Sequence, residues 1–442
     1  MMRWRKRARS PRGVMLLALA GIACSAAAAA SRAGPSPALG TTRSPGVVPS
    51  AASVLPRDAS DRLVRIALAE GVPQVRLTSA AGWTLFAEDG RTPVALTQPG
   101  ERWLLESERG AVRAQREDSR PVLARERTVI ARPTDPEGQV EFNGRRWRGQ
   151  LVITNTGGGL LVVNRLLMDD YLKGVVPLEI GTRANADAAA VEAQAVTARS
   201  YALTHLAGPG RPFDMRATVT DQVYGGASAE TSVGNRSVDA TAGLALLYGG
   251  RVVNAPYSAT CGGSSAEPQD VWRTAGEPYL QRVSDQIPGS THFYCEGAPK
   301  YRWTRVYDHD ALRESITKYL RTLPGSNSSV TSVRAVTVSE VTPAGRVGIL
   351  TVDTDRGSVT LRGNEMRTAL RMPSGELLYS TYFSVSAVTG RDGVESLTLK
   401  GGGHGHGVGM CQAGAIGRAR AGQDFRTILR TYYPGTTVGI IE

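Results

Sequence analysis

Among 442 residues, one carboxylate stands where no fold requires one. Glu179 closes the run Gly174-Val175-Val176-Pro177-Leu178, so it is delivered by apolar and turn-forming residues rather than by a charged face. Such surroundings raise a carboxyl pKa, and a general acid working near neutral pH requires that. The same group could instead cap the helix that follows it or pair with Arg183, and the residue pattern leaves both open. The second stretch with chemical content is GGGHGHGVGMCQAGA, which carries His404, His406 and Cys411. Two imidazoles and a thiolate could surround zinc, but a ligand set on one loop lacks the paired spacing of ordinary zinc sites. Cys411 with a histidine could also form a nucleophile pair. A third reading fits better: the glycines let backbone amides and His406 approach a substrate held over Glu179.

These groups need elements to hold them. Directly after Glu179, Ala188, Ala189, Ala190, Val191, Ala193, Ala195, Val196 and Ala198 give strong helix propensity and read as a buried helix. Asn185 or Asp187 could cap its start, while Glu192, Gln194, Arg199 and Tyr201 would need partners inside. In TVTDQVYGGAS, Asp221, Gln222 and Tyr224 beside two glycines form a polar loop able to approach a ligand. They could orient sugar hydroxyls, or Asp221 could close a turn. Upstream, GQVEFNGRRWRGQLVITNT and GGLLVVNRLLMDDYL read as strands, the first with a hairpin turn at Asn143-Gly144. Residues 61–119 alternate in short runs between Gly, Pro and Asp and read as a small all-β module. Its Trp83 and Trp103 suit core packing better than stacking on sugar.

Downstream, ATAGLALLYGGRVVNAPYSATCGGSS reads as a helix end and a hairpin turning at Gly249-Gly250. Residues 310–320 form a helix, and residues 332–370 form hairpin strands and a helix, with Met366, Leu370 and Met372 as core. AIGRARAGQDFRTILRTYYPGTTV reads as a helix stopping at Tyr432, Tyr433 and Pro434 before a terminal strand.

The start of the chain predicts export. Arg3, Arg5, Lys6, Arg7, Arg9 and Arg12 precede an apolar run, 14–23, too short to span a bilayer, and small residues follow. This reads as a signal peptide over 1–33, with Cys24 a poor acylation site because Gly21 stands where leucine is preferred. Residues 34–59, rich in Pro, Ser, Ala and Gly, read as a flexible linker. Removing the six named cations from the net charge of +12 leaves about +6, which suits an anionic cell envelope or reflects a solvated surface in an Arg-rich composition. No nucleic-acid-binding motif, nucleotide loop, haem motif or later membrane helix is evident. Of four cysteines, Cys261 and Cys295 could bridge in an oxidising compartment, leaving Cys411 as the odd thiol.

Four motifs in order, YLKGVVPLEI, VEAQAVTARSYAL, DQVYGG and GHGHGVGMCQAGA, resemble the stage II sporulation protein D family, whose other branch contains the amidase enhancers. The resemblance covers roughly residues 125 to 440. It implies an exported lytic transglycosylase that cuts peptidoglycan glycan strands between muramic acid and glucosamine residues, with Glu179 as acid and base. On that reading Gln222, Tyr224, His406 and Gln412 hold the sugars, Arg199 and Asp221 support the site, and no metal or other cofactor is required. Relatives often carry serine at the position of Cys411, which argues against an obligate nucleophile, and zinc-binding relatives supply no ligand set that matches here. The rival is a non-catalytic wall-binding enhancer of an N-acetylmuramoyl-L-alanine amidase; a Cys411 peptidase ranks third. The expected fold is α+β: a small all-β module over 60–120, then a mainly β-sheet catalytic domain over 121–442 with a buried Ala-rich helix.

Overall fold

The computed structural model describes residues 62–118, 122–324 and 329–441. The expected signal peptide and linker lie outside the described residues. The chain is α+β, with more strand than helix.

Alternation builds the first layer. In Gln150–Asn155 every second side chain turns inward, burying Leu151, Ile153 and Asn155. This strand lies in a seven-stranded sheet ordered Met215–Arg216, Leu63–Val72, Leu160–Leu167, Gln150–Asn155, Thr128–Pro133, Trp83–Phe86, Pro93–Thr97. A six-stranded sheet runs Arg145–Trp147, Val140–Phe142, Gln74–Thr78, Trp103–Glu108, Ala111–Arg116, Val122–Glu126. Both sheets contribute to one hydrophobic cluster, where Trp83 and Trp103 meet edge to face at 6.3 Å. They are core residues, not sugar platforms. Buried Asn155 ties the sheets by donating to Ser107 Oγ at 2.9 Å and to the Ala111 carbonyl at 2.7 Å.

The division expected at residue 120 runs through both sheets. Leu63–Val72 pairs antiparallel with Leu160–Leu167, Trp83–Phe86 with Thr128–Pro133, and Gln74–Thr78 with Val140–Phe142. Short strands with one apolar face need partners to bury it, and here residues beyond 120 supply them.

Leu160–Leu167 leads straight into helix α1, Met168–Ile180, where the sequence reading carried the strand on to Leu172. Asp169 and Asp170 favour the first turn through the helix dipole. Pro177 falls in the last turns and removes one backbone donor. Gly174 is dictated by packing: a Cβ there would lie 2.6 Å from Tyr224 Cε2 and 2.9 Å from the Gly226 carbonyl oxygen. The helix stops at Gly181, with φ of 80°, and Arg183 Nε donates to the Ile180 carbonyl at 2.9 Å.

Helix α2, Ala188–Thr204, is the expected Ala-rich helix, buried along most of its length and therefore without a polar stripe. Asp187 occupies its N-cap position, but its carboxylate takes Arg420 Nε at 2.7 Å instead of capping, and Asn185 accepts from Arg236. Helix α3, Ser232–Ala240, precedes the hairpin Leu244–Tyr248 and Arg251–Val252, which turns at Gly249-Gly250 as read from sequence. Helix α4 is the short Pro268–Val271.

A second hydrophobic cluster holds two three-stranded sheets, helix α5, His309–Leu320, and helix α6, Glu365–Ala369, with Met366 and Leu370 fully buried in it. The closing segment is two helices rather than one. Helix α7, Gln412–Arg420, ends before Gly422, and helix α8, Phe425–Tyr432, starts afresh with Asp424 accepting from the Thr427 amide at 2.7 Å. The terminal strand Thr437–Ile440 pairs with Leu244–Tyr248.

Candidate active site

Glu179 lies in the last turn of helix α1 and is partly exposed as a residue, while Val175, Val176, Pro177 and Ile180 around it are buried. Burial raises its pKa to about 7, against smaller opposing contributions from hydrogen bonds donated by the Val223 amide and the Tyr257 hydroxyl. The Val223 amide lies 2.9 Å from Glu179 Oε1. Arg183 is engaged with the end of α1 and Glu179 does not cap α2, so the two structural roles left open by sequence are not the ones it plays.

Behind the carboxylate stands a relay with every donor assigned. Tyr171 OH donates to Gln222 Oε1 at 3.0 Å, and Gln222 Nε2 donates to Tyr257 OH at 3.1 Å. The Tyr257 hydroxyl in turn hydrogen-bonds to Glu179. Gln222 is fully buried and also donates to the Ala198 carbonyl at 3.3 Å, which holds it against Tyr257.

Tyr224 is likewise 1% exposed, donating to Asn164 Oδ1 at 2.7 Å and packing 4.9 Å from Tyr171 and 5.3 Å from Trp147. Its part is to seat α1, through the contact at Gly174. Asp221 accepts from the Arg216 amide at 2.8 Å, the turn-closing alternative. Arg199 is wholly buried and grips Asp169 of α1 with Nε at 3.0 Å and Nη2 at 2.7 Å, while Nη1 reaches the Leu244 carbonyl at 3.0 Å. These contacts tie α2 to the start of the helix that carries Glu179.

The glycine-histidine loop serves Tyr257. Burial lowers the His406 pKa to about 3, so the ring is neutral. Nδ1 accepts from the Val408 amide at 3.0 Å, which places the proton on Nε2, and a hydrogen bond joins the ring to the Tyr257 backbone. Trp272 covers the ring at 4.9 Å. His406 therefore stands behind the strand Tyr257–Ser258, which pairs in parallel with Met410–Cys411. His404 is separate, edge-on to Tyr379 at 5.5 Å, with its pKa lowered to about 4 by burial. Gln412 donates to buried Gln194 at 3.1 Å, joining α7 to α2.

Sequence reasoning placed Gln222, Tyr224, His406 and Gln412 against the sugars; all four side chains are buried and hydrogen-bonded inside the protein. It missed Tyr257, whose tie to Glu179 bridges 78 positions and leaves no spacing signal. It also missed Asp285, which lies with Cys261, Cys295 and Cys411 in one buried group.

The family described as stage II sporulation protein matches residues 156–248, which span α1, α2 and the Gln222 loop, and a domain of unknown function, DUF8618, matches residues 287–409. An uncharacterized protein of Brachyspira hyodysenteriae is 30% identical over 299 residues, covering 67% of this chain and 73% of the relative. The amidase enhancer of Bacillus subtilis is 32% identical over 303 residues, but the match covers only 40% of that protein and 60% of this chain. Stage II sporulation protein D of Bacillus subtilis is 24% identical over 292 residues, covering 62% of this chain and 75% of the relative. The chain belongs to the stage II sporulation protein D family.

Proposed function

We propose that this chain is an exported lytic transglycosylase that cleaves peptidoglycan glycan strands to 1,6-anhydro ends. The observation that carries the reading is Glu179: a partly exposed residue whose carboxyl has a pKa of about 7 and accepts hydrogen bonds from Val223 and Tyr257. At neutral pH both of its protonation states are populated, as a group that must first give and then take a proton requires.

The proposed reaction uses one acid, Glu179. Paired glycosidase carboxylates lie roughly 5–9.5 Å apart, whereas the shift of Glu179 comes from burial and from the hydrogen bonds of Val223 and Tyr257. A lytic transglycosylase needs no second carboxylate, because the 6-hydroxyl of the muramic acid residue replaces water and enjoys intramolecular proximity. Protonated Glu179 donates to the glycosidic oxygen, and that bond breaks toward an oxocarbenium-like species. The Glu179 anion then takes the proton of the 6-hydroxyl as its oxygen bonds to the anomeric carbon. Tyr257 and the Val223 amide stabilise the transient anion, and Gln222 with His406 holds Tyr257 in place.

A second reading has support in the likeness to an amidase enhancer: the chain binds wall glycan and stimulates an amidase. Incubating glycan strands with the wild-type chain and with Glu179→Gln separates the two. Shortening of strands by the wild type alone supports the enzyme; equal amidase stimulation by both proteins, without cleavage by either, supports the enhancer.

A further inference from the structure

We propose that Cys261, Cys295, Cys411 and Asp285 form a structural zinc site, separate from Glu179 and independent of the reaction assigned to it. Their ligand atoms lie within 4.8 Å of one another and all four residues are buried. A tetrahedral zinc ion with Zn–S bonds of about 2.3 Å sets its sulfurs about 3.8 Å apart. The Cys261 and Cys295 sulfurs are 3.7 Å apart, and Cys261 Sγ is 3.3 Å from Asp285 Oδ2. Both cysteines are free rather than bridged as expected from sequence.

The surroundings are those of a metal thiolate. The amides of Cys261 and Gly414 point at Cys411 Sγ, at 3.2 and 3.3 Å. Asp285 is held through Oδ1, by Tyr432 OH at 2.5 Å and Arg418 Nη2 at 3.2 Å, which leaves Oδ2 turned toward the thiols. Ligands held by such outer partners are oriented for the ion. Arg346 lies fully buried against the Cys261 carbonyl at 3.0 Å, with its Nε and Nη1 lacking partners among the described residues. Three thiolates and a carboxylate around a divalent ion carry a charge of −2, which Arg418 and Arg346 would neutralise. A buried guanidinium without an anion is costly, and the loaded site would supply one.

The four ligands come from four segments, and glycines permit their convergence. A Cβ at Gly414 would strike the Asp285 carboxylate and Tyr432 OH, and one at Gly417 would strike the Tyr294 carbonyl. Zinc would therefore fasten the strand pair Tyr257–Ser258 and Met410–Cys411 to the loops at 285 and 295. Each ligating thiol would lose its proton to solvent as the ion binds during folding.

The test is metal analysis of the purified full chain by elemental mass spectrometry, thiol titration in denaturant, and absorption spectra after replacing zinc with Co²⁺. One zinc per chain, three titratable thiols and thiolate-to-cobalt charge-transfer bands are expected. Cys295→Ser should weaken zinc binding, measured against a chromophoric chelator, by more than the roughly 10–100-fold that loss of an outer partner costs. A metal-free chain with a Cys261–Cys295 disulfide in its peptide map, or full zinc retention in Cys295→Ser, overturns the proposal. Where the variant fails to fold, the wild-type cobalt spectrum decides: bands without thiolate character overturn it equally.

Discussion

Replacing Glu179 by glutamine should stabilise the fold in alkaline solution while abolishing cleavage. The carboxyl has a reference pKa of 4.5 and a folded pKa of about 7, raised chiefly by burial. The fold therefore prefers the neutral acid. Below pH 4.5 both states of the chain hold the proton and no penalty exists. Between pH 4.5 and 7 the unfolded chain ionises while the folded chain does not, so stability falls as pH rises, and above 7 the loss is complete. At about 1.36 kcal/mol per unit the penalty is about 3 kcal/mol, or about 2–3 kcal/mol once solvent screening on the open face is included. Glutamine keeps the shape of the neutral acid, and its carbonyl oxygen can still accept from the Val223 amide. Urea unfolding of both proteins at pH 4 and pH 8.5 measures the effect. The curves should nearly coincide at pH 4 and separate in favour of the variant at pH 8.5. A difference independent of pH, or a variant less stable than wild type at pH 8.5, would refute the reasoning.

Further outcomes follow from the relay and the packing. Activity of the wild type should fall as pH rises through about 7, when the acid loses its proton; Tyr257→Phe removes a donor that favours the anion, so its rate profile should show this limb moved upward by about one unit, with a lower maximum. Gln222→Leu removes the acceptor of the Tyr171 hydroxyl and should cost about 1–3 kcal/mol for leaving it unpaired in the interior. In steady-state kinetics it should lower kcat with KM little changed, because Gln222 orients Tyr257; a raised KM with unchanged kcat would return it to the role of sugar contact. Gly174→Ala gains helix propensity of about 1 kcal/mol, but the 2.9 Å approach to the Gly226 backbone oxygen cannot relax cheaply. Overpacking of about 1–3 kcal/mol should win, read as a lower unfolding midpoint.

Local chemistry was legible in the chain. The apolar run before Glu179, the alanines of α2, and the Asn143-Gly144 and Gly249-Gly250 turns announce a perturbed acid, a buried helix and two hairpins, because each signal lies within a few residues. Pairings across long separations were not. That Leu63–Val72 would join Leu160–Leu167 depends on which apolar faces find each other, and local alternation is silent on that. Polar residues beside glycines in the Gln222 loop and the His406 loop suggested ligand contacts, since a residue list cannot distinguish a side chain facing a cleft from one facing a buried tyrosine. The cysteines were counted correctly but paired two at a time, because Asp285 in RVSDQ carries no mark of its destination beside Cys411.

The central claim is that Glu179 directs the muramic 6-hydroxyl, and not water, onto the anomeric carbon. Mass spectrometry of peptidoglycan strands digested in water enriched in heavy oxygen tests it most directly. Fragments lighter than hydrolysis products by one water, without heavy oxygen at the new end, and absent after digestion with Glu179→Gln, are predicted. Heavy oxygen at the new reducing ends, or the same anhydro fragments from Glu179→Gln, would contradict it.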